Sequence, residues 1–235
     1  MNPLTRALTT ARVRLLEPLV RARGALRRML EPPRTAIRDA RLDTSPVLVL
    51  GCYRSGTSLL RRCLNSHSRI ACPPETMFLA SFAEALGRRD AARGLAAIDM
   101  TLDEATDDLR VLADRWMRRN AAAQDKPRWA DRSPGVLLHL DGLDRLVGEQ
   151  AQYVAIVRDG MDVAASLGTA RPRWWELDPF VAADGDELLA AARFWVDRSQ
   201  RLRAFTSARP DRVHTLRYED LVRQPERTLR RMFRF

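Results

Sequence analysis

An apolar run at residues 47–50 leads directly into a turn rich in glycine and hydroxyl residues, which is followed by leucines at helical spacing. The turn extends from Gly51 to Ser58, and Leu60 and Leu64 follow it. This order predicts a buried strand that feeds a helix. It constrains the fold more than any other segment, because buried strands that alternate with helices form parallel sheets.

The same alternation continues along the chain. Tyr153 to Val157 and Val213 to Leu216 have the composition of strands. Amphipathic spacing predicts helices over 77–87, 101–123, 136–147, 159–167 and 186–206, and a short helix that begins near Pro225. Strands that alternate with helices indicate an α/β fold with a mostly parallel sheet flanked by helices.

Residues 1–45 differ in character from residues 46–235, and we expect two units. Residues 4–30 combine many arginines with leucines at helical spacing, which predicts a basic amphipathic helix broken at Pro18, and a linker follows. Such a helix can make peripheral contact with a membrane surface or bind a partner. The simpler interpretation is a leader, or a helix that lies on its own domain.

The chain is strongly basic, with a formal net charge of +10 at pH 7 in 235 residues. Every basic residue except Lys126 is arginine, a skew that coding bias alone can produce. The charge favours polyanionic ligands such as nucleotide phosphates, nucleic acid or an anionic membrane surface, without choosing among them.

Three cysteines, Cys52, Cys63 and Cys72, and three histidines provide neither a disulfide framework nor the spacing of a zinc site. No apolar run reaches the roughly 18–20 residues that span a bilayer, and no signal peptide is recognisable. We therefore expect a cytoplasmic protein in a reducing compartment.

The turn after the first strand has the glycine spacing of a phosphate-binding loop. Gly51 and Gly56 are placed as in the Walker A pattern, and Ser58 closes the motif with a hydroxyl. Thr57 stands where that pattern has lysine, and the positive charge lies inside the loop at Arg54. Backbone N–H groups at a helix N-terminus still favour an anion. Without the lysine that bridges β- and γ-phosphates, the loop suits a transferred group that carries less charge.

The loop is one of several segments whose order and spacing form a pattern. They are Tyr53 to Leu60, Ile70 to Thr76, Trp129 to Pro134, Val157 to Ser166 and Leu216 to Val222. Together they resemble the sulfotransferases that use a phosphosulfate donor, particularly the branch with bacterial and tyrosylprotein enzymes. The resemblance covers about residues 46–235. It implies a P-loop-type three-layer α/β fold.

The resemblance implies that the co-substrate is 3′-phosphoadenosine 5′-phosphosulfate (PAPS), with no metal. The loop would hold the 5′-phosphosulfate through Arg54, Ser55, Gly56, Thr57 and Ser58. The other end of the donor would be bound by Arg158 and Ser166 at its 3′-phosphate and by Tyr218 at its adenosine. Each of these residues also has a structural interpretation. Arg158 could form an ion pair with a neighbouring aspartate, Ser166 could be a surface residue, and Tyr218 could be a buried tyrosine with a hydrogen-bonded hydroxyl.

The resemblance also implies a catalytic group. Glu75 would take the proton of the acceptor hydroxyl as it attacks sulfur in line with the leaving oxygen. Arg54 would stabilise charge on the leaving phosphate. Arg132, where the family has lysine, would bring a positive charge near the sulfonyl oxygens. The structural alternatives are helix capping by Glu75 and an ion pair of Arg132.

The implied function is sulfation of a hydroxyl-bearing carbohydrate, lipid, peptide or small molecule, with no nucleic-acid partner. The sequence ends at Phe235, before the segment that closes over the donor in the family, so a truncated, non-catalytic nucleotide- or polyanion-binding relative is one alternative. A P-loop kinase-like protein that uses ATP and magnesium is another. The pair Arg158 and Ser166, which a simple kinase does not need, favours the sulfotransferase.

Overall fold

A computed structural model describes residues 44–170 and 175–235. Within them, five strands form one parallel sheet in the order β2-β3-β1-β4-β5. The strands are β1 (Val47–Leu50), β2 (Ile70–Ala71), β3 (Arg128–Asp131), β4 (Gln152–Val157) and β5 (Val213–Arg217). The helix expected over residues 4–30 lies outside the described residues, as does nearly all of the expected unit 1–45.

Helices connect the strands and cover both faces of the sheet. They are α1 (Thr57–Ser66), α2 (Phe78–Gly87), α3 (Ala91–Ala96), α4 (Leu102–Ala122), α5 (Leu140–Val147), α6 (Gly160–Gly168), α7 (Asp178–Asp184), α8 (Glu187–Ser207), α9 (Tyr218–Arg223) and α10 (Pro225–Arg234). Two 3-10 turns, Pro134–Leu138 and Trp175–Leu177, complete the described elements. Across the two described ranges, no helix combines the length and the hydropathy that crossing a bilayer requires.

The central strand β1 shows why the fold has three layers. Val47 and Val49 pack with residues of α1, α9 and α10, whereas Leu48 and Leu50 pack with residues of α2, α4, α5 and α8. All four side chains are at most 5% exposed. Alternate residues of a strand point to opposite faces, so an apolar run without alternation requires cover on both sides. The expected three-layer α/β fold is confirmed.

The expected strands and most of the long helices are present, and their ends lie within two residues of the expected positions. The expectation of one helix over 136–147 is wrong, because the backbone leaves helical geometry at His139 (φ −130°, ψ 34°) and separates a 3-10 turn from α5. The sequence did not indicate β2 or β3. β2 has only two residues and β3 begins and ends with charged residues, so pairing with neighbouring strands defines both.

Helices α2 and α5 approach each other so closely that only glycine fits at the contact. A Cβ atom on Gly142 of α5 would lie 1.9 Å from the carbonyl oxygen of Ala83 on α2. Helix α2 begins three residues after Glu75, so this contact helps to fix the segment that carries that carboxylate.

Replacing Gly142 by alanine should destabilise the fold. The added Cβ would clash with backbone atoms of Ala83, which cannot rotate away as a side chain can. We therefore expect Gly142→Ala to lower the free energy of unfolding in urea by about 1–3 kcal/mol. Gly94→Ala is the matched control, since a Cβ there meets nothing within 4 Å. The control should leave stability unchanged or raise it by up to about 1 kcal/mol. Equal effects of the two substitutions would contradict the close contact.

Candidate functional site

The carboxyl ends of the five parallel strands meet at one edge of the sheet, where α/β proteins bind ligands. The loop at residues 51–56 follows β1, and Glu75, Arg132, Arg158 and Tyr218 follow β2, β3, β4 and β5 in turn. All five segments line one cavity of about 240 Å³. Each strand of the described sheet therefore contributes to the same site.

The loop after β1 is shaped by two residues with positive φ, Arg54 (65°) and Gly56 (92°). A Cβ on Gly56 would lie 2.3 Å from Cδ2 of Tyr218, so the loop packs directly against the start of α9. Gly56 precedes α1, where no side chain caps the helix and no acidic residue lies in the first turn. The N–H groups and the positive end of the helix dipole are thus available to an anion.

Arg54 and Arg158 join the loop to α6. Arg54 Nε donates to Ser166 Oγ (2.8 Å), and Arg158 Nη1 donates to the carbonyl oxygen of Arg54 (2.9 Å). The guanidinium of Arg158 lies 4.5 Å from the centre of the Tyr218 ring. Its Nη2 atom forms an ion pair with Asp162 Oδ2 at 3.4 Å. The structure therefore brings together Arg54, Arg158, Ser166 and Tyr218, which are distant in the sequence.

Arg132 connects the carboxylate of the site to α1. Its Nη1 donates to Glu75 Oε1 and its Nη2 donates to Ser58 Oγ. The Arg132 side chain is 8% exposed and the Glu75 side chain 40% exposed, so the carboxylate remains accessible from solvent. Arg132 Nε and Arg158 Nε are both buried with no hydrogen-bond partner among the described residues. Both arginines also line the cavity.

Asp131, the last residue of β3, fixes the segment around Glu75. It is 3% exposed and accepts a hydrogen bond from Thr76 Oγ1 (2.8 Å). Burial raises the pKa of Asp131 above its usual range, while hydrogen bonds from Thr76 and Ser133 oppose the shift. Ser133 Oγ in turn accepts from the backbone N–H of Met77, a residue held at φ 58°. The turn that presents Glu75 is therefore tied to the end of β3.

Most of the residues expected from the sequence line the cavity, and two do not. Ser55 is 1% exposed, so its side chain lies within the loop. Its backbone N–H donates to the carbonyl oxygen of Cys52. Ser166 reaches the cavity only through Arg54. The cavity is lined by Tyr53, Arg54, Gly56, Thr57, Ser58, Leu59, Glu75, Arg132, Arg158 and Tyr218.

The sequence did not indicate the buried polar residues that contact the loop from beneath. Tyr53 OH donates to Glu176 Oε1 (2.6 Å), and Arg198 Nη2 donates to Glu176 Oε2 (3.1 Å). Glu176 is 123 residues from Tyr53, and no local pattern marks either Glu176 or Arg198 as part of a site. Within residues 44–170 and 175–235, no group of three or more His, Cys, Asp or Glu is arranged to hold a metal ion.

Known proteins resemble the chain over nearly all of this domain. The sequence model described as "Sulfotransferase family" matches residues 46–235. Nodulation protein NoeE of Sinorhizobium fredii (strain NBRC 101917 / NGR234) is 30% identical over 218 residues, which cover 81% of this chain and 50% of that protein. The chain thus spans about half the length of this curated relative.

Two solved structures show a similar fold. The sulfotransferase domain from the curacin biosynthetic pathway has a TM-score of 0.56 at 21% identity, over 82% of this chain and 73% of that one. The sulfotransferase domain of the Synechococcus PCC 7002 olefin synthase has a TM-score of 0.51 at 23% identity, over 83% of this chain and 74% of that one. Both comparisons agree with the α/β architecture described above.

Proposed function

The chain belongs to the sulfotransferase family, and we propose that it is an enzyme that transfers a sulfonate group from PAPS to a hydroxyl acceptor. One observation carries the proposal: the segments after all five strands converge on a single cavity. In the described residues, three arginines and one carboxylate line it. This charge pattern suits a donor with several anionic groups and a proton that must be removed.

The donor would be held at both of its phosphates. The uncapped N-terminus of α1 and the loop amides would bind the 5′-phosphosulfate. Arg158 and Ser166 would bind the 3′-phosphate, with Tyr218 beside the adenosine. Arg54 would link the loop to the 3′-phosphate residues, because its backbone carbonyl contacts Arg158 and its side chain contacts Ser166.

The transfer would proceed by in-line displacement. The acceptor oxygen forms a bond to sulfur as the bond from sulfur to the 5′-phosphate oxygen breaks, which leaves 3′,5′-adenosine bisphosphate. Glu75 would receive the acceptor proton. Arg132 lies between Glu75 and Ser58, so its charge would meet the sulfonyl oxygens. Arg54 and the loop amides would stabilise the negative charge that develops on the leaving phosphate.

The alternative use of ATP and magnesium is less well supported. Such enzymes need a carboxylate that faces the phosphates and organises the metal. Asp131, at the end of the strand beside β1, is buried, bonds Thr76 and does not line the cavity. Glu75, the carboxylate that does line it in the described residues, is paired with Arg132.

We place the reaction in the cytoplasm, without a metal, with residues 46–235 as the catalytic domain. Cys52, Cys63 and Cys72 are all free thiols, as a reducing compartment requires. The acceptor would be a hydroxyl on a carbohydrate, lipid, peptide or small molecule. Residues 1–45 would form a separate basic segment.

The donor site can be tested with Arg158→Ala. Titration calorimetry should show that the unchanged protein binds 3′,5′-adenosine bisphosphate more tightly than ATP with magnesium. Arg158→Ala should weaken bisphosphate binding at least about tenfold, since a hydrogen bond to a charged group contributes about 1.5–3 kcal/mol. Arg230→Ala is the control, because it removes the same charge from an exposed i,i+4 pair with Glu226.

Three results would contradict the donor assignment. The first is no binding of the bisphosphate by the unchanged protein. The second is an equal loss for Arg158→Ala and Arg230→Ala, which would indicate a general effect of charge. The third is tighter binding of ATP with magnesium, which would favour the kinase-like alternative.

The role of Glu75 can be tested by replacing it with glutamine. With PAPS as donor and 2-naphthol or cellobiose as probe acceptors, Glu75→Gln should lower kcat by about 10²-fold or more. The loss should be larger for cellobiose, whose hydroxyl protons are less acidic than that of the naphthol. Glu84→Gln, on the exposed face of α2, should transfer sulfonate at the unchanged rate. If Glu75→Gln transfers sulfonate as fast as the unchanged protein, Glu75 is not the general base.

A further inference from the structure

A buried polar cluster lies beneath the phosphate-binding loop and is made by residues far apart in the chain. Tyr53 OH donates to Glu176 Oε1 (2.6 Å), and Arg198 Nη2 donates to Glu176 Oε2 (3.1 Å). The guanidinium of Arg198 lies 4.4 Å from the centre of the Phe194 ring, which is 6.1 Å from that of Tyr53. Tyr53 lies in the loop, Glu176 in the 3-10 turn Trp175–Leu177, and Arg198 and Phe194 in α8.

Stability alone does not explain this cluster. The side chains of Glu176 and Arg198 are 4% and 7% exposed, so both charges are almost completely removed from water. Replacing a buried ion pair with well-packed apolar residues often leaves stability unchanged or raises it, because desolvation opposes the attraction. Such a pair does, however, restrict its partners to one geometry, since misplacing either charge leaves the other unpaired.

The groups around the pair keep Tyr53 in its donating form. Burial, and then the hydrogen bond and the negative charge of Glu176, raise the pKa of Tyr53 well above its usual range. Burial raises the pKa of the neighbouring Cys52 thiol to about 12, although Arg198 acts in the opposite direction. The negative charge of Glu75 acts on Tyr53 in the same direction, and Asp197 pairs with Arg198 and Arg201. The phenol therefore stays protonated to a higher pH than an ordinary tyrosine, and it donates to Glu176.

We propose that Glu176 and Arg198 are positioning residues that act through Tyr53 to hold the phosphate-binding loop in its anion-binding conformation. Tyr53 precedes Arg54, whose φ of 65° is unfavourable for a residue with a side chain. Such a conformation persists only where the surroundings fix it. The hydrogen bond anchors one side of Arg54, and the contact of Gly56 with Tyr218 anchors the other.

The consequence for function rests on the proposed PAPS site, whereas the consequence for the loop does not. When the anchor is lost, the loop amides should sample other orientations, so that donor binding must first restore the correct one. Donor affinity should then fall while the rate of the bound complex changes little, because Tyr53, Glu176 and Arg198 do not act on the reacting atoms.

The chain supplies a matched control in a second buried tyrosine. Tyr153 OH donates to Asp144 Oδ1 (2.8 Å), and Asp144 is held by Arg209 (2.9 Å) and Arg212 (3.0 Å). Tyr153 is completely buried near the amino end of β4, at the edge of the sheet opposite the loop. Tyr153→Phe thus removes the same kind of tyrosine–carboxylate bond, from a more exposed cluster that lies away from the site.

The test compares Tyr53→Phe with Tyr153→Phe by hydrogen–deuterium exchange and by calorimetry with 3′,5′-adenosine bisphosphate. In Tyr53→Phe, amides of residues 51–58 should exchange about tenfold faster and bisphosphate should bind about tenfold more weakly, which corresponds to about 1.4 kcal/mol. The KM for PAPS should rise by a similar factor, with kcat within about twofold, a pattern that general destabilisation does not produce. Tyr153→Phe should change none of these values more than about twofold, even where urea unfolding shows that it loses stability.

The proposal is overturned if loop exchange in Tyr53→Phe equals that of the unchanged protein, or if Tyr153→Phe accelerates it equally. Should Tyr53→Phe fail to fold, Glu176→Gln compared with Asp144→Asn applies the same criteria. If the unchanged protein binds no bisphosphate, the proposed donor site fails, yet the exchange comparison still decides whether the cluster positions the loop.

Discussion

The backbone between β1 and α1 turns through Arg54 and Gly56 at positive φ, and the rest of the site depends on this turn. Side chains cannot be added to Gly51 or Gly56 without displacing neighbouring residues. A Cβ on Gly51 would lie 2.8 Å from Cγ2 of Ile156 on β4, and one on Gly56 would meet the Tyr218 ring. The loop is thereby pressed against the neighbouring strand and α9, and its amides and the uncapped end of α1 are left for an anion.

The parallel sheet determines which residues lie next to the loop. Because all strands of the described sheet end at the same edge, the short segment after each strand contributes to one cavity. Arg158 follows β4 and donates to the carbonyl oxygen of Arg54, and Arg132 follows β3 and contacts both Glu75 and α1. Asp131 anchors the turn that carries Glu75. The chain belongs to the sulfotransferase family, and we propose that this arrangement serves the transfer of a sulfonate from a doubly phosphorylated donor.

Short sequence patterns correctly predicted those parts of the fold that depend on residues close together in the chain. The apolar run of β1, the glycine turn and the order of strands and helices follow from residues close in sequence, and the fold agrees with them. Family resemblance identified Arg54, Arg158 and Ser166, whose roles stay predictions although the structure brings them together. The strands β2 and β3 and the pair Glu176 and Arg198 left no such pattern. They are defined by strand pairing and by hydrogen bonds across as many as 123 residues, which propensity does not encode.

We propose that the site after the five strands binds both ends of PAPS and holds its two phosphates on different elements. A crystal structure of the protein with 3′,5′-adenosine bisphosphate tests it most directly. We expect the 5′-phosphate to lie within hydrogen-bond distance of the amides of residues 56–58, and the 3′-phosphate to contact Arg158 and Ser166. A nucleotide bound in the reverse orientation, or bound away from the loop, would contradict it.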